Sequence, residues 1–437
     1  MFYTQKLILF PGKPYILSLI PGISSGNLAS INILFMIRML VILIAVSFLQ
    51  GTAFAQDART SQLSGGVVLN TIGWNGQHLL IGGATDTVQG NWDFLLTRRD
   101  TLFQEIATYA YPYSGKDQLR FVKPLANGDM ILAGTGYTTL TSDTLEITLM
   151  RISAQGNVLW AKRFSTPSAY ELLGLAGMDC YADGSAVFSL CLRDLNTEVR
   201  FGQMVKLTPL GAISWQSTVS LGKGKASDPI FPQIPRSNVL IQGPDTVWVA
   251  WNRVDTTLTA NIREIAVYEG VYVNAPDWNI WAYSSATGSP DVFPSVMEIG
   301  LTDPVIRKIT MLAEGGFGSG YSPVMMIQFS SMFSFEWGHV SSYFGSGKGT
   351  LGGGRDYMFS DIFTRFDGYT SSIFRNHLPT GPEDITDFVS VGNKGYAIRR
   401  SDDAWPQAQA MKSGLLSFSW LPSVQVCGLA DTATFDG

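Results

Sequence analysis

The amino-acid sequence predicts an all-β protein, specifically a β-propeller of six or seven four-stranded blades. Two observations carry this prediction: a unit of four apolar runs recurs along the chain, and each clear copy has Asn-Gly or Asp-Gly in a turn and an aromatic residue in its closing run. The composition agrees, because 45 of the 437 residues are glycine, the residue that best supplies the positive φ angles of tight turns. No segment shows a sustained period of 3.6 residues, so we expect few helices.

The clearest copy of the unit covers residues 118–164. Its apolar runs are separated by a turn at Asn127-Gly128, a polar loop, and a second turn at Gln155-Gly156. An Asn-Gly pair between two apolar runs is a strong hairpin signal, and alternation within the third and fourth runs has the period of two that is typical of strands. The unit therefore predicts one four-stranded antiparallel sheet.

Six more copies are predicted, and the later ones have weaker patterns. They comprise residues 67–111, residues 172–219, a fourth built from 247–251 and 263–281, a fifth from 309–312, 324–329 and 333–337, a sixth that includes 362–366 and 373–375, and a seventh from 388–390, 396–399 and 415–420. The aromatic residues predicted to anchor the closing strands are Phe103, Trp160, Trp215, Trp281, Trp337, Phe374 and Trp420. Their mean separation of about 53 residues is in the range of propeller blades, and we expect them to fill the gaps between blades.

The sixth unit leaves the number of blades open. Residues 343–361, which are rich in glycine, form either its first two strands or a loop, and a loop would leave six blades. A pair of β-sandwich domains is the alternative architecture.

A family resemblance rests on two segments of the clearest copy. GDMILAGTGYTT (128–139) followed by LMRISAQGNVLWAKRF (149–164) resembles the repeats of secreted β-propeller proteins common in Bacteroidota, which are often cargo of type IX secretion. The resemblance is strongest over residues 118–220. It implies a propeller fold and a location outside the cytoplasm, but no reaction. No C-terminal sorting domain is recognised after the last predicted strand, so the sequence is either a fragment or that of a periplasmic protein.

The N-terminal region has the pattern of a secretory signal peptide. Arg38 precedes an apolar run at 39–48, and Ala53-Phe54-Ala55 provides an A-x-A cleavage site. We interpret residues 1–35 as an over-extended N-terminus, 36–55 as the signal peptide and 56–437 as a single propeller domain, with cleavage between Ala55 and Gln56. The predicted location is secreted, periplasmic or on the outer cell surface. The alternative is an uncleaved membrane anchor at 39–55.

The charge of the chain limits its partners. The formal net charge is −5, and an acidic surface does not attract nucleic acid or anionic lipid. We therefore expect no nucleic-acid partner and, after cleavage, no stable membrane span. The expected ligand is a protein or glycan of unknown identity, bound by a monomer.

The three cysteines are Cys180, Cys191 and Cys427. The first two flank a hairpin turn at Asp183-Gly184, which places them about 13 Å apart at the usual rise of a strand. A disulfide needs Cα atoms within about 7 Å, so we expect both to be buried thiols.

No residue is assigned a catalytic, cofactor-binding or metal-binding role, and no cofactor is expected. His78, His339 and His377 have no metal-ligand spacing, although His78 and His339 fall within predicted strands. The glycine-lysine segments at 222–225 and 345–350 do not fit a phosphate-binding loop.

Two further groups of side chains are candidates for a catalytic or ligand-binding site. The acidic pairs at 383–384 and 402–403 do not form a glycosidase site by themselves, because neighbouring residues of a strand point to opposite sides. Five aromatic residues crowd the fourth unit, where they either pack between blades or stack on a ligand: Trp248, Trp251, Tyr268, Tyr272 and Trp278.

These patterns predict an exported, non-enzymatic binding or scaffold module whose ligand lies at one mouth of the central channel. The alternative is a propeller enzyme, a hydrolase or lyase acting on polysaccharide, and a structural domain of a larger assembly is a third reading. An enzyme should bring carboxylates or a histidine together at one mouth, whereas a binding module should present aromatic rings and amides there.

Overall fold

The computed structural model describes residues 56–62, 67–88, 91–112, 116–137, 144–223, 234–242, 246–255, 262–271, 277–284, 295–303, 308–314, 324–329, 335–341, 349–351, 356–359, 362–366, 373–377, 384–392, 394–400 and 413–419. Within these segments every regular element is a β-strand, and the strands form seven four-stranded antiparallel sheets. The predicted all-β propeller is therefore confirmed, with seven blades.

Six blades consist of four strands that are consecutive in sequence. The first blade contains β2 (Val67–Trp74), β3 (Leu79–Val88), β4 (Asn91–Arg99) and β5 (Glu105–Tyr111), after β1 (Gln56–Gln62) at the start of the chain. The second contains β6 (Gln118–Pro124), β7 (Met130–Tyr137), β8 (Leu145–Ile152) and β9 (Val158–Phe164), and the third contains β10 (Tyr170–Cys180), β11 (Ala186–Asp194), β12 (Val199–Leu207) and β13 (Ile213–Lys223). The fourth contains β14 (Val239–Gln242), β15 (Thr246–Asp255), β16 (Ile262–Val271) and β17 (Asp277–Ser284). The fifth contains β18 (Ser295–Asp303), β19 (Lys308–Glu314), β20 (Val324–Phe329) and β21 (Phe335–Ser341), and the sixth contains β22 (Gly349–Leu351), β23 (Asp356–Phe359), β24 (Ile362–Phe366) and β25 (Ile373–His377).

The seventh blade joins the two ends of the described chain. It is made of β26 (Asp384–Val391), β27 (Lys394–Arg400) and β28 (Ser413–Ser419), and β1 forms its outermost strand. β1 runs antiparallel to β28, with Gln56 opposite Ser419 and Gln62 opposite Gly414. The sequence pattern predicted only the last three of these strands.

The innermost strands of the seven blades form a closed ring. Each of β2, β6, β10, β14, β18, β22 and β26 contacts the innermost strand of both neighbouring blades, including β26 with β2. We call the end of the ring where these strands begin the upper face, and the end where they finish the lower face.

The glycine-rich segment that left the blade count open contains two short strands. β22 and β23 pair with each other, and β23 pairs with β24, so they are the inner half of the sixth blade. The loop interpretation, with six blades, is therefore wrong.

Trp160 of β9 packs on the third blade, as predicted for an anchor residue. Its indole lies over Gly211, in the turn between β12 and β13, and its Nε1–H donates to the carbonyl oxygen of Pro209 at 2.9 Å. Gly211 has a φ of 78°, and a Cβ there would lie 2.9 Å from the indole. Glycine is thus required both by the turn and by the neighbouring blade.

Arg151 of β8 connects the same two blades. Its Nε and one terminal nitrogen donate to the Asp129 carboxylate, at 3.0 and 2.8 Å, in the first turn of its own blade. Its other terminal nitrogen donates to the carbonyl oxygen of Pro209 at 3.0 Å. Arg98 occupies the corresponding place in the first blade and donates to the carbonyl oxygen of Ala154 at 2.7 Å.

Phe103 is not the anchor of a closing strand, contrary to the prediction. It lies in the turn between β4 and β5 with a φ of 65°, and its ring meets Tyr396 of the seventh blade edge-on, with centroids 5.9 Å apart. The turn at Gly156 in the second blade is instead covered by Tyr109 of β5. Phe103 instead holds the turn position that Gly156 holds in the second blade, because the turn 100–104 has the same length and the same hydrogen bonds as the turn 153–157.

Of the other predicted anchors, only Trp215 has a described side chain. Trp215 is buried against the fourth blade, in a cluster with Trp251 and Tyr268. Trp281, Trp337 and Phe374 lie in the outermost strands β17, β21 and β25, as predicted, but their side chains are outside the description. Trp420 lies outside the described residues.

Cys180 and Cys191 are both free thiols, as expected. Cys180 is opposite Ala186, whereas Cys191 is opposite Gly174, so the two lie at different levels of the β10–β11 ladder. Cys191 is buried and Cys180 partly buried, and burial raises the pKa of Cys191 to about 12. A thiol with so high a pKa is a poor nucleophile. Cys427 lies outside the described residues.

Candidate functional site

A cavity of about 240 Å³ lies at the upper face, where the second, third and fourth blades begin. We call it the upper pocket. The residues that line it are Lys116, Gln118, Arg120, Thr135, Tyr137, Leu145, Leu173, Gly174, Leu175, Ile234, Pro235 and Arg236. All of them belong to described segments; three carry positive charge and none carries negative charge. In a chain with a net charge of −5, this is a local concentration of cations.

The start of the second blade positions two of these cations. Lys116 forms a parallel bridge with Trp92 of the first blade, and the N–H of Asp117 donates to the carbonyl oxygen of Trp92 at 2.7 Å. The alternation of a strand then places Lys116 and Gln118 on the pocket side. The backbone shift between Leu119 and Phe121 is a bulge at Arg120, and bulges commonly redirect a side chain at the rim of a sheet.

Asp117 points away from the pocket and into the contact between the first and second blades. Its carboxylate lies against Gly136, where any Cβ would collide with it, and the residue is only 2% exposed. Burial raises its pKa to about 7; Arg163 opposes this shift, while the nearby carboxylates of Asp93 and Glu146 add to it. Asp117 therefore exchanges a proton near neutral pH beside the pocket, without lining it.

A second group of charges lies among the innermost strands towards the lower face. Lys123 pairs with Asp179 at 3.2 Å, and Asp179 accepts a hydrogen bond from the N–H of Ile241 in the fourth blade at 2.9 Å. Asp387 accepts one from the N–H of Ile72 at 2.8 Å. Burial raises the pKa of Asp387 to about 6, although the N–H groups of Ile72 and Phe388, the Thr71 side chain and Lys123 oppose the rise. These carboxylates connect neighbouring blades to each other, so we read the group as structural.

A larger cavity of about 470 Å³ lies between the second and third blades, and we call it the interblade groove. The residues that line it are Phe164, Ser165, Thr166, Pro167, Tyr170, Leu172, Leu190, Leu192, Phe201, Gln203, Val205, Ile213, Gln216 and Thr218. It is separated from the upper pocket by a single strand, because Leu172 of β10 faces the groove whereas Leu173 faces the pocket.

Three of the five aromatic residues of the fourth unit pack inside the fold rather than being available to stack on a ligand. Trp248, Trp251 and Tyr268 are each at most 2% exposed. The Trp251 indole lies against Gly202 of the third blade, so it fills the gap between blades. Tyr272 lies outside the described residues, as does the side chain of Trp278.

The three histidines are not brought together in the described structure. His78 lies in the turn between β2 and β3 rather than in a strand, and its Nδ1 is 3.3 Å from a terminal nitrogen of Arg98. His339 and His377 lie in β21 and β25. Across the segments that the structure describes, no three His, Cys, Asp or Glu side chains are placed to hold a metal ion.

The remaining sequence candidates fall largely outside the description. Glu383 and the pair at 402–403 lie outside it, as do residues 224–225 and 345–348, while Gly349 and Thr350 belong to β22. Among the residues that can be assessed, no helix is long and apolar enough to cross a membrane.

Similarity to known proteins is found among solved structures. The chain matches no protein-family model and no curated protein. Among solved structures it is similar to the polysaccharide lyase Uly1, with 10% identity, a TM-score of 0.43, and coverage of 80% of this chain and 89% of that one. It is also similar to the acylaminoacyl peptidase of Pyrococcus horikoshii (8%, TM-score 0.45, 76% and 49%) and to the GH93 α-L-arabinofuranosidase of Fusarium graminearum (11%, TM-score 0.40, 69% and 93%). This chain thus spans about half the length of the peptidase. Likenesses this distant carry no argument about activity.

Proposed function

We propose that this propeller is an exported binding module that takes up an anionic group, such as the charged sugar of an acidic glycan, in the upper pocket. The observation that carries the proposal is the pocket lining, in which Lys116, Arg120 and Arg236 surround one cavity and none of the described lining residues is a carboxylate. Converging cations of this kind attract an anion and slow its dissociation. Arginine in particular can bind a carboxylate or sulfate through two parallel hydrogen bonds.

The size and the neutral residues of the pocket narrow the ligand further. Its 240 Å³ is below the about 300–1,000 Å³ of most sites that enclose a whole small ligand, so it suits one charged unit of a longer molecule. Thr135 and Tyr137 add neutral donors and acceptors that match sugar hydroxyls, whereas the Gln118 amide already donates to Asn70 Oδ1 at 2.9 Å. The sequence predicted aromatic rings and amides at a channel mouth. The pocket lining has one ring, that of Tyr137, and one amide, that of Gln118. The three cations of the lining were not predicted.

Export remains part of the proposal and rests on the leader pattern. The position of β1 supports it, because cleavage between Ala55 and Gln56 would leave Gln56, the first residue of the ring-closing strand, as the new N-terminus. The chain would then complete its seventh blade with its own first residues. The resemblance to secreted Bacteroidota propellers agrees with this location.

The binding proposal is tested by calorimetric titration of the protein that begins at Gln56. The probes are an oligogalacturonate, a neutral oligosaccharide of the same length and a short poly-glutamate peptide. Arg120→Gln and Arg236→Gln should each weaken oligogalacturonate binding by about tenfold, the range expected when one charge-assisted hydrogen bond is lost. Lys162→Gln, which removes an exposed charge of β9, is the matched control and should leave binding unchanged.

Three outcomes would count against this function. An affinity for oligogalacturonate that is unchanged by Arg120→Gln and Arg236→Gln would remove the role of the cations, and so would oligogalacturonate binding that is insensitive to added salt. Tighter binding of the poly-glutamate peptide would replace a glycan with an acidic protein partner.

A second candidate function uses the same pocket. Tyr137 lines a pocket whose cations could neutralise a uronate carboxylate, which would make the proton next to that carboxylate easier to remove. The Tyr137 oxygen, acting first as base and then as acid, would take up that proton and return it to the leaving sugar oxygen as the carbon–oxygen bond breaks, so that this elimination forms a carbon–carbon double bond without a co-reactant. Ultraviolet absorbance of the new carbon–carbon double bond during incubation with oligogalacturonate tests it. Hydrolysis by paired carboxylates is not supported, because none of the described residues that line the pocket carries a carboxylate.

A further inference from the structure

The interblade groove exists because two neighbouring outer strands differ in length. β9 of the second blade has 7 residues and ends at Phe164, whereas β12 and β13 of the third blade have 9 and 11 residues. The Phe164 ring meets Phe188, with centroids 5.1 Å apart, and Phe188 is paired with Val205. The surface of the third blade beyond this level is left uncovered by β9.

The groove combines a floor of buried aliphatic side chains, including Leu190 and Leu192, with aromatic and neutral polar side chains. The next paired residues along the face are Leu190 with Gln203, followed by Leu192 with Phe201. Thr218 lies opposite Gln203 on β13. No residue that lines the groove is charged, and all of them lie in described segments. A charged ligand would therefore be desolvated there without compensation.

The rim of the groove is held in place by its own hydrogen bonds. In the link between β9 and β10, the Thr166 hydroxyl donates to the carbonyl oxygen of Tyr170 at 3.2 Å. The Tyr170 N–H in turn donates to the carbonyl oxygen of Pro167 at 2.9 Å. The Tyr170 ring meets Phe201 edge-on, with centroids 6.5 Å apart. Tyr170 is 37% exposed, so the ordered ring keeps surface for a ligand. Little conformational entropy would be lost on binding.

We infer that the interblade groove is a second binding site, and that its ligand is a neutral oligosaccharide. Rings such as those of Tyr170 and Phe201 can cover the apolar face of a sugar, while Gln203, Gln216 and Thr218 can bond its hydroxyls. The volume of 470 Å³ lies within the about 300–1,000 Å³ of small-ligand sites. A purely apolar peptide segment fits less well, because it would leave these amides and hydroxyls without partners.

The test is calorimetric titration with three neutral probes: cellohexaose, xylohexaose and maltohexaose. At least one should bind, and the double variant Gln216→Met, Thr218→Val should reduce its affinity by about tenfold or more. Both substitutions keep the size of the side chain at exposed positions, so the fold should be retained. Ser220→Val is the control, since Ser220 is exposed on the same strand but does not line the groove. It should change affinity by less than about twofold.

Several results would overturn the inference. One is that none of the three probes binds at millimolar concentration; another is that binding persists unchanged in the double variant. An apolar peptide that binds more tightly to the double variant than to the parent would identify the groove as a peptide-docking site instead. Arg120→Gln should not affect neutral binding, so the outcome here is independent of the anionic pocket.

Discussion

The carboxylate of Asp387 in β26 accepts a hydrogen bond from the backbone N–H of Ile72 in β2, at 2.8 Å. These residues lie in the last and first blades, so the bond joins the innermost strands where the ring closes. The second carboxylate oxygen accepts from the N–H of Phe388 at 2.8 Å. β1 closes the same blade at its outer edge by pairing with β28. The ring is thus closed by two separate devices, one at each edge of the seventh sheet.

The first prediction concerns the titration of Asp387. Because burial raises its pKa in the folded protein to about 6, the folded state binds a proton more tightly than the unfolded chain does. The free energy of unfolding should therefore fall as pH rises from about 4 to about 6, and this contribution should be constant above that range. Asp387→Asn should flatten this part of the profile, as measured by urea denaturation between pH 4 and pH 8.

A control for this titration is Asp194→Asn. The Asp194 carboxylate accepts hydrogen bonds from the N–H groups of Asn196 and Thr197 within its own turn, and these lower its pKa. Its contribution should run in the opposite direction, with stability lost as pH falls. A profile that keeps its full slope after Asp387→Asn would show that Asp387 is not the group responsible.

The second prediction concerns β1. A chain that starts at residue 63 lacks β1 and exposes the outer edge of β28, whereas a chain that starts at Gln56 keeps both. Each lost backbone hydrogen bond contributes about 0.5–1.5 kcal/mol, so the shorter chain should lose several kcal/mol of unfolding free energy. A synthetic peptide of residues 56–62 should partly restore it by adding a strand to the open edge. Equal denaturation midpoints for the two chains would show that β1 does not close the ring.

The blades were predictable from the sequence where the same turn residues and the same strand alternation recur. Each turn glycine that was used to divide the clear units, including Gly128, Gly156 and Gly211, does adopt a positive φ. The strands of the second and third blades followed from alternation between these turns. β1 could not be found in this way, because its sequence QDARTSQ has no apolar alternation and its partner lies more than 350 residues away.

The candidate sites were less accessible to sequence reasoning. Lys116 precedes the first predicted run of the clearest unit, 119–125, and Arg120 lies near its start, so their place at a channel mouth could have been anticipated. Arg236 could not have been joined to them, since it comes from a segment without a repeat pattern, just before the first strand of the fourth blade. The interblade groove depends on the difference in length between β9 and β13, and strand ends are the least certain part of any sequence pattern.

The third prediction concerns the double contact on Pro209. Its carbonyl oxygen accepts from both Trp160 and Arg151, so either donor can be lost while the other keeps the oxygen satisfied. Trp160→Phe should therefore cost only about 0.5–1.5 kcal/mol of unfolding free energy. Arg151→Leu should cost more, because it also leaves the Asp129 carboxylate without its cation.

The combination of these substitutions gives the sharper test. In the double variant the Pro209 carbonyl loses both donors, so the total loss should exceed the sum of the single losses by about 0.5 kcal/mol or more. Chemical denaturation of the parent, the two single variants and the double variant measures this excess. Strict additivity would mean that the two contacts do not share one acceptor in solution.

The fourth prediction links the pH to anion binding in the upper pocket. Asp117 titrates with a pKa of about 7, and its neighbours in sequence, Lys116 and Gln118, line the pocket. Protonation between pH 8 and pH 6 removes a negative charge next to the bound anion, so oligogalacturonate should bind more tightly at pH 6 by about threefold to tenfold. Asp117→Asn should give the tighter binding at every pH in this range, whereas Asp194→Asn should leave the pH dependence intact. If calorimetry at pH 6, 7 and 8 shows the same pH dependence for Asp117→Asn as for the parent protein, Asp117 is not the group that tunes the pocket.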